Sequence, residues 1–161
     1  MLIRDATEAD WPEIWPFFQQ IVLAGETYAY DPNMTSDDSR NVWMMRPPAR
    51  TVVAVDGPDV LGSATTGPNR PGRGSHVATG SFMVSDRARG RGVGRALGED
   101  AIAWARRQGF RSMQFNAVVE SNRAAITLWK ALGFEVIGTV PEAFEHPTLG
   151  YVGLHVMYRR L

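Results

Sequence analysis

The residue types best suited to chemistry stand together in one stretch, Arg87-Ala88-Arg89-Gly90-Arg91-Gly92-Val93-Gly94-Arg95. Guanidinium groups present planar, charged donors that match phosphate oxygens. Glycine has no Cβ, so a ligand can approach the backbone closely at Gly90, Gly92 and Gly94. An apolar run, Phe82-Met83-Val84, leads in, while Leu97, Ala101, Trp104 and Ala105 follow at helical spacing. The order is therefore strand, glycine-rich loop, helix N-terminus. A helix start carries N–H groups without intrahelical partners, together with partial positive charge, so the stretch predicts a cradle for a diphosphate. Two familiar phosphate loops fit poorly. Gly90-x-Gly92-x-Gly94 has the wrong third spacing for a dinucleotide fingerprint and lies past mid-chain, and the Gly-Lys-Ser/Thr ending of a Walker loop is absent.

The rest of the chain must position that loop. Its 161 residues suit one domain, 1–161, with a single core. Hydrophobic residues at 44% and charged residues at 21% are ordinary globular values. Lys+Arg 17 balances Asp+Glu 17, which argues against nucleic acid or an anionic membrane held by the overall field. The local arginine cluster suits a phosphate-bearing ligand better. With no cysteine there is no disulfide, thiol nucleophile or cysteine metal site. His76, His146 and His155 lack metal-ligand spacing, so no metal is expected. No apolar run reaches membrane-spanning length and Met1-Leu-Ile-Arg-Asp has no signal-type apolar region, so a cytoplasmic protein is expected.

In chain order, Leu2-Ile3-Arg4 reads as a strand. Asp10-Trp11-Pro12-Glu13 reads as an N-cap with Glu at N3, opening a helix with the stripe Trp11, Ile14, Trp15, Phe18 and Val22; Pro16 should bend it or limit its first turn. Ala24–Pro32 is an irregular loop with two tyrosines and two carboxylates, a concentration that suits a binding loop. Thr35 to Asp38 caps a second helix reaching to Met45. Thr51–Val55 and Val60–Thr66 form a hairpin, Gly67–Ser75 a connector, and His76–Val84 the strand feeding the central loop. Ser112–Val119 is a strand with Met113, Phe115, Ala117 and Val119 on one face and Asn116 on the other, where asparagine is uncommon. Asn122 is a helix N-cap, Gly133 a C′ stop, and Phe134–Thr139 and Val152–Tyr158 are final strands joined by a loop, Pro141–Gly150.

Arg89-x-x-Gly92-x-Gly94 matches the R/Q-x-x-G-x-G/A signature of the GNAT superfamily of acyl-CoA-dependent N-acyltransferases. Asn122 to Phe134 resembles the family's N-x-x-A-x-x-L-Y-x-x-x-G-F segment at the expected distance. The chain as a whole is similar to the phosphinothricin-type, small-molecule members. The resemblance implies an α/β (α+β) fold: a mixed, mostly antiparallel sheet of about six to seven strands, helices on both faces, and a splayed strand pair. It implies that Phe82, Met83 and Val84 pair with the pantetheine arm of acetyl-CoA. Arg89, Gly90, Arg91, Gly92, Val93, Gly94 and Arg95 would hold its diphosphate, and Asn122 would bond the arm. The loop after the first helix would line the acceptor pocket through Glu26, Tyr28 and Tyr30, with Arg73 able to reach an acceptor carboxylate. The spacing of Asn116 and Asn122 resembles fungal acetyltransferases of proline analogues, which puts Asn116 in the acceptor region. Dimers are frequent in the superfamily, so a homodimer is one expected state.

The activity implied is direct attack of a small-molecule amine on the acetyl group, through a tetrahedral intermediate. The amine must lose a proton, the oxyanion needs a donor such as the backbone N–H near Val84, and the thiolate needs support. Here the sequence departs from its relatives. Trp129 stands where many have a tyrosine acid, and its indole N–H does not give up a proton. Val77-Ala78-Thr79-Gly80-Ser81 holds no strand acid. Glu26 is the first candidate base, with His76 and Glu120 behind it, although Glu120 reads as a solvated residue at a helix start. Tyr158 or solvent would support the thiolate. Two other functions stay open: acetylation of a protein N-terminus or lysine, and a CoA-binding sensor or structural module with little turnover.

Overall fold

The computed structural model describes residues 1–161. Its strands are β1 (Leu2–Asp5), β2 (Arg50–Asp56), β3 (Asp59–Pro68), β4 (Val77–Val84), β5 (Ser112–Val119), β6 (Glu135–His146) and β7 (Gly150–Arg160). The helices are α1 (Trp11–Ala24), α2 (Ser36–Trp43), α3 (Val93–Arg107) and α4 (Arg123–Ala131). The strands form one seven-stranded sheet in the order β1-β2-β3-β4-β5-β7-β6. Every neighbouring pair is antiparallel except β4 and β5.

Strand alternation sorts the core to the two faces of the sheet. Val53, Val60 and Met83 pack under Trp11, Ile14, Phe18 and Trp43 of α1 and α2. Val52, Ala54, Leu61 and Ala64 point the other way, against Val93 and Leu97 of α3. Farther along that second face, Met113, Phe115 and Met157 meet Ala101 and Ala105 of α3 and Trp129 of α4. Helices therefore cover both faces. The two helices of the second face approach closely because Gly98 is small: a Cβ there would sit 2.7 Å from Leu132 Cδ1 and 2.9 Å from Trp129 Cζ3. Overpacking of this kind costs roughly 1–3 kcal/mol.

The feature that makes a site is the parallel pair. Only Val77↔Ser112 and Ala78↔Met113 pair between β4 and β5, after which the strands part. The expected splay is present, in the middle of the sheet.

Three local expectations need correction. Asp10 does not cap α1. Its carboxylate bonds Arg4 at 2.8 and 2.6 Å and reaches back to the Thr7 N–H at 2.7 Å, so the helix entry is built on Thr7 and a short turn, Glu8–Asp10. The hydrogen bonds from Arg4 hold the Asp10 carboxyl well below the usual carboxylate range. Helix α2 ends at Trp43 rather than Met45. The stretch Pro141–Gly150 is mostly strand, because β6 runs to His146 and turns directly into β7. Pro141 is tolerated since β6 is an edge strand and a register shift lies between Val140 and Phe144. Pro16 lies within an unbroken α1.

Candidate active site

At one end of the splay, β4 runs into the glycine loop and α3. Gly90 and Gly92 adopt φ values of 74° and 76°, the left-handed region that side chains rarely enter. A Cβ at either would meet nothing within 4 Å, so the backbone conformation demands glycine and the space beyond is open. Gly94 has a negative φ and its missing side chain makes room inside the protein. Its Cβ would lie 3.3 Å from Leu128 Cδ2, so it lets α3 pack on α4. The first intrahelical bond is Ala96 N–H to Gly92 O, and the N–H groups of Gly90, Gly92, Val93, Gly94 and Arg95 have no acceptor in the protein. Those five amides lie at and just before the positive end of α3, where free N–H groups suit a diphosphate. The arginines are less bare than their sequence suggests. Arg89 pairs with Asp86 at 2.8 Å, Arg91 with Asp56 at 2.6 Å and Arg95 with Glu99 at 3.3 Å, leaving Arg87 without a carboxylate partner.

Between the parted strands lies a cleft of about 400 Å³. Phe82, Phe115 and Trp129 wall it, with ring centroids 4.6 Å (Phe82–Trp129) and 4.8 Å (Phe115–Trp129) apart. Trp129 is buried in this aromatic group, which explains how an indole is accommodated at that position. The Phe82 N–H and C=O point away from β3, and by alternation so do those of Gly80 and Val84. Met83 is a correction: its side chain is buried in the core and its backbone groups face β3, so it has no free edge to offer a ligand. Phe82 is also not free. The Tyr28 hydroxyl donates to Phe82 O at 2.7 Å and accepts from Phe82 N–H at 2.9 Å. Burial pushes the Tyr28 phenol well above its ordinary pKa, so it stays protonated. Tyr28 is the one tyrosine lining the cleft; Tyr158 lies outside the lining.

The far end is built from side chains. Tyr30 stacks on Tyr28 (5.5 Å, 11°) and touches Phe18 at 5.5 Å, so it supports the loop from the core side rather than facing the cleft. Asn116 and Ala117 fall in a break of the β5–β7 register, which frees this part of β5 to bend. Asn116 Nδ2 donates to Asn69 Oδ1 at 2.6 Å and Gln114 Nε2 donates to Asn116 Oδ1 at 2.9 Å. Asn69 and Gln114 escaped the sequence reading, since nothing in their spacing links them. Phe144 and Leu154 also line the cleft; Phe144 falls in the stretch read as a loop, and Leu154 in a strand that was expected but that nothing in the sequence links to the cleft. Asn122 caps α4 through Oδ1 to Ala125 N–H at 3.1 Å and lines the cleft as well.

The remaining candidates lie elsewhere. Glu26 is exposed, one residue before the lining residue Thr27. His76 precedes β4 at its zipped end, six residues and so about 20 Å along the chain from Phe82, which removes it from the reacting centre. Arg73 sits on an exposed turn, Gly72–Gly74, outside the lining. Glu120 is exposed as expected but precedes α4 rather than standing in it, and its Oε2 accepts from Gly153 N–H at 2.9 Å, tying the end of β5 to β7. The charged residues lining the cleft are Asp86 and Arg89, paired with each other at the loop end, so the acceptor end carries no charge. No helix is long and apolar enough to cross a membrane.

Comparison with known proteins agrees with this geometry. The sequence model of the acetyltransferase (GNAT) family matches residues 6–134. A GCN5-related N-acetyltransferase from Kribbella flavida is 64% identical and superposes with a TM-score of 0.97, over 99% of this chain and 97% of that one. The L-methionine sulfoximine/L-methionine sulfone acetyltransferase of Pseudomonas paraeruginosa is 34% identical over 145 residues, 87% of this chain and 83% of that protein. A GNAT superfamily phosphinothricin acetyltransferase from Sinorhizobium meliloti, solved with acetyl-CoA, is 26% identical with a TM-score of 0.87, over 99% of this chain and 88% of that one.

Proposed function

The chain belongs to the GNAT acetyltransferase family, and from that premise we propose that it acetylates the amine of a small molecule, an amino acid or a close analogue, using acetyl-CoA. The observation that carries this reading is the cleft and the loop that follows it: the lining reaches Val84, Asp86 and Arg89, just before the five free amides in the chain, and its other end is uncharged and includes Asn116. The amides from Gly90 to Arg95 would grip the diphosphate, and the outward edge of Val84 and the Asn122 amide would hold the pantetheine arm. The thioester supplies the acyl group and a good leaving group. Bonding of the developing oxyanion falls to an outward β4 amide, which suits a preorganised donor in a dry, aromatic-walled site.

No carboxylate lines the acceptor end, so the amine's proton leaves to water, and Glu26 is the acid adjacent in sequence to the lining residue Thr27. Trp129 gives the thiolate a hydrogen-bonding indole rather than an acid. Recognition of a carboxylate-bearing acceptor would fall to the Asn69–Asn116–Gln114 amides. The homologue that acts on methionine sulfoximine supports an acceptor of this size.

A panel of amines assayed for release of the CoA thiol tests the reading. Release with small amino acids or their analogues is the expected result. Release with peptide N-termini or lysine peptides alone would replace the small-molecule acceptor by a protein one. Binding of acetyl-CoA without release over the whole panel would leave a binding module.

A further inference from the structure

Tyr28 makes an unusual connection. Past Ala78 the outward amides of β4 have no strand partner, and the central one, on Phe82, is taken by a phenol from a loop 54 residues earlier in the chain. The same hydroxyl satisfies the Phe82 carbonyl, so one side chain uses the whole hydrogen-bonding edge of that residue. Phe82 also forms part of the cleft's aromatic wall with Phe115 and Trp129, so its edge borders the space between the strands. An acyl carbonyl in the cleft is an acceptor that needs an N–H, and the Tyr28 oxygen occupies the position such an acceptor would take.

We propose, on the acetyl-donor reading above, that the Tyr28 hydroxyl stands in for the acyl carbonyl on the Phe82 N–H and must yield that N–H when the acyl donor binds. The consequence is a link between the two ends of the cleft. Tyr28 belongs to the acceptor loop, flanked by Thr27 and Ala29, which also line the cleft, and stacked on Tyr30. Releasing its hydroxyl repositions that loop, so the acceptor pocket takes its working shape only with the acyl donor in place. Tyr28 is thus a positioning residue that couples the Phe82 edge to the loop carrying Thr27 and Ala29. Free CoA ends in a thiol and has no acyl carbonyl, so it lacks the group that competes with the phenol. The protein therefore discriminates acetyl-CoA from its product less than an open amide would.

The test compares affinities for CoA and acetyl-CoA, by calorimetry, in the wild type and in Tyr28→Phe, which keeps the ring and its stacking. Freeing the Phe82 N–H should raise the preference for acetyl-CoA over CoA by about fivefold to tenfold, the worth of one hydrogen bond, with CoA affinity nearly unchanged. In turnover, Tyr28→Phe should raise the acceptor KM more than it lowers kcat. An equal change for both ligands, or none, would overturn the inference while leaving the acetyltransferase reading intact. A wild type that binds neither ligand would overturn both. Should Tyr28→Phe fail to fold, the backbone amide resonance of Phe82 in the wild type decides. A shift with acetyl-CoA much larger than with CoA supports the exchange of partners, and equal shifts rule it out.

Discussion

The two ends of the cleft are built on opposite plans. At the loop end the groups on offer are backbone amides, fixed by two left-handed glycines and the start of a fifteen-residue helix. At the acceptor end they are side chains gathered from four places: the loop after α1, the end of β3, the bent middle of β5 and the β6–β7 hairpin. A backbone cradle needs only the correct φ and ψ, so it tolerates many side chains and keeps its glycine spacing. A side-chain pocket can be rebuilt by changing any one contributor. One end is suited to a constant donor and the other to acceptors that differ between relatives.

That contrast can be broken most sharply at Gly92. Gly92→Val places a branched side chain in open space and in a backbone region it avoids, and should weaken acetyl-CoA binding about a hundredfold or more, about 2.7 kcal/mol by calorimetry. Gly92→Asn, which tolerates the left-handed region, separates the two causes: lost binding with an intact fold means the side chain blocks the ligand. Unchanged affinity in both variants would remove the amide cradle from the account.

At the other end Asn116→Ala should lower kcat/KM for the acceptor about tenfold to thirtyfold while the Kd for acetyl-CoA moves less than about twofold. Equal losses in both would assign Asn116 to the donor side and erase the division between the ends. Asp10 supplies a control remote from either end. Asp10→Asn should cost about 1–2 kcal/mol at pH 7 by denaturant unfolding, with kinetic constants unchanged. The folded carboxyl titrates below its unfolded value, so its contribution is complete above about pH 4 and is lost as the pH falls further. The gap between Asp10→Asn and the wild type should therefore close in acid. Smallest of all is Gly94→Ala: its neighbour is the far end of Leu128, so acetyl-CoA affinity should stay within about threefold and stability within about 1 kcal/mol. A loss as large as that of Gly92→Val would mean that both glycines serve the ligand.

The chain's local chemistry was legible wherever a residue's role is set by its neighbours in sequence. Strand β5 spans Ser112–Val119 as its alternation predicts, Asn122 and Gly133 bound α4, and the helix after Gly92 starts where the glycine spacing puts it. Asp10 misled because its partner, Arg4, lies on a strand before the helix and outcompetes the capping role. Pro141 misled because proline reads as a loop, while an edge strand with a register shift has no use for the missing N–H.

Sequence alone determined the sheet-and-helix order, the glycine cradle and the family, since each depends on short-range periodicity or on backbone angles that few residues can adopt. Only the tertiary structure decided that Gly94 serves packing, that His76 and Arg73 stand apart from the cleft, and that Asn69 and Gln114 join Asn116. It alone set the Tyr28 hydroxyl on Phe82. Those outcomes turn on distances between segments far apart in the chain, and no local pattern encodes them: they follow from where two parallel strands stop pairing and what the fold brings to the gap.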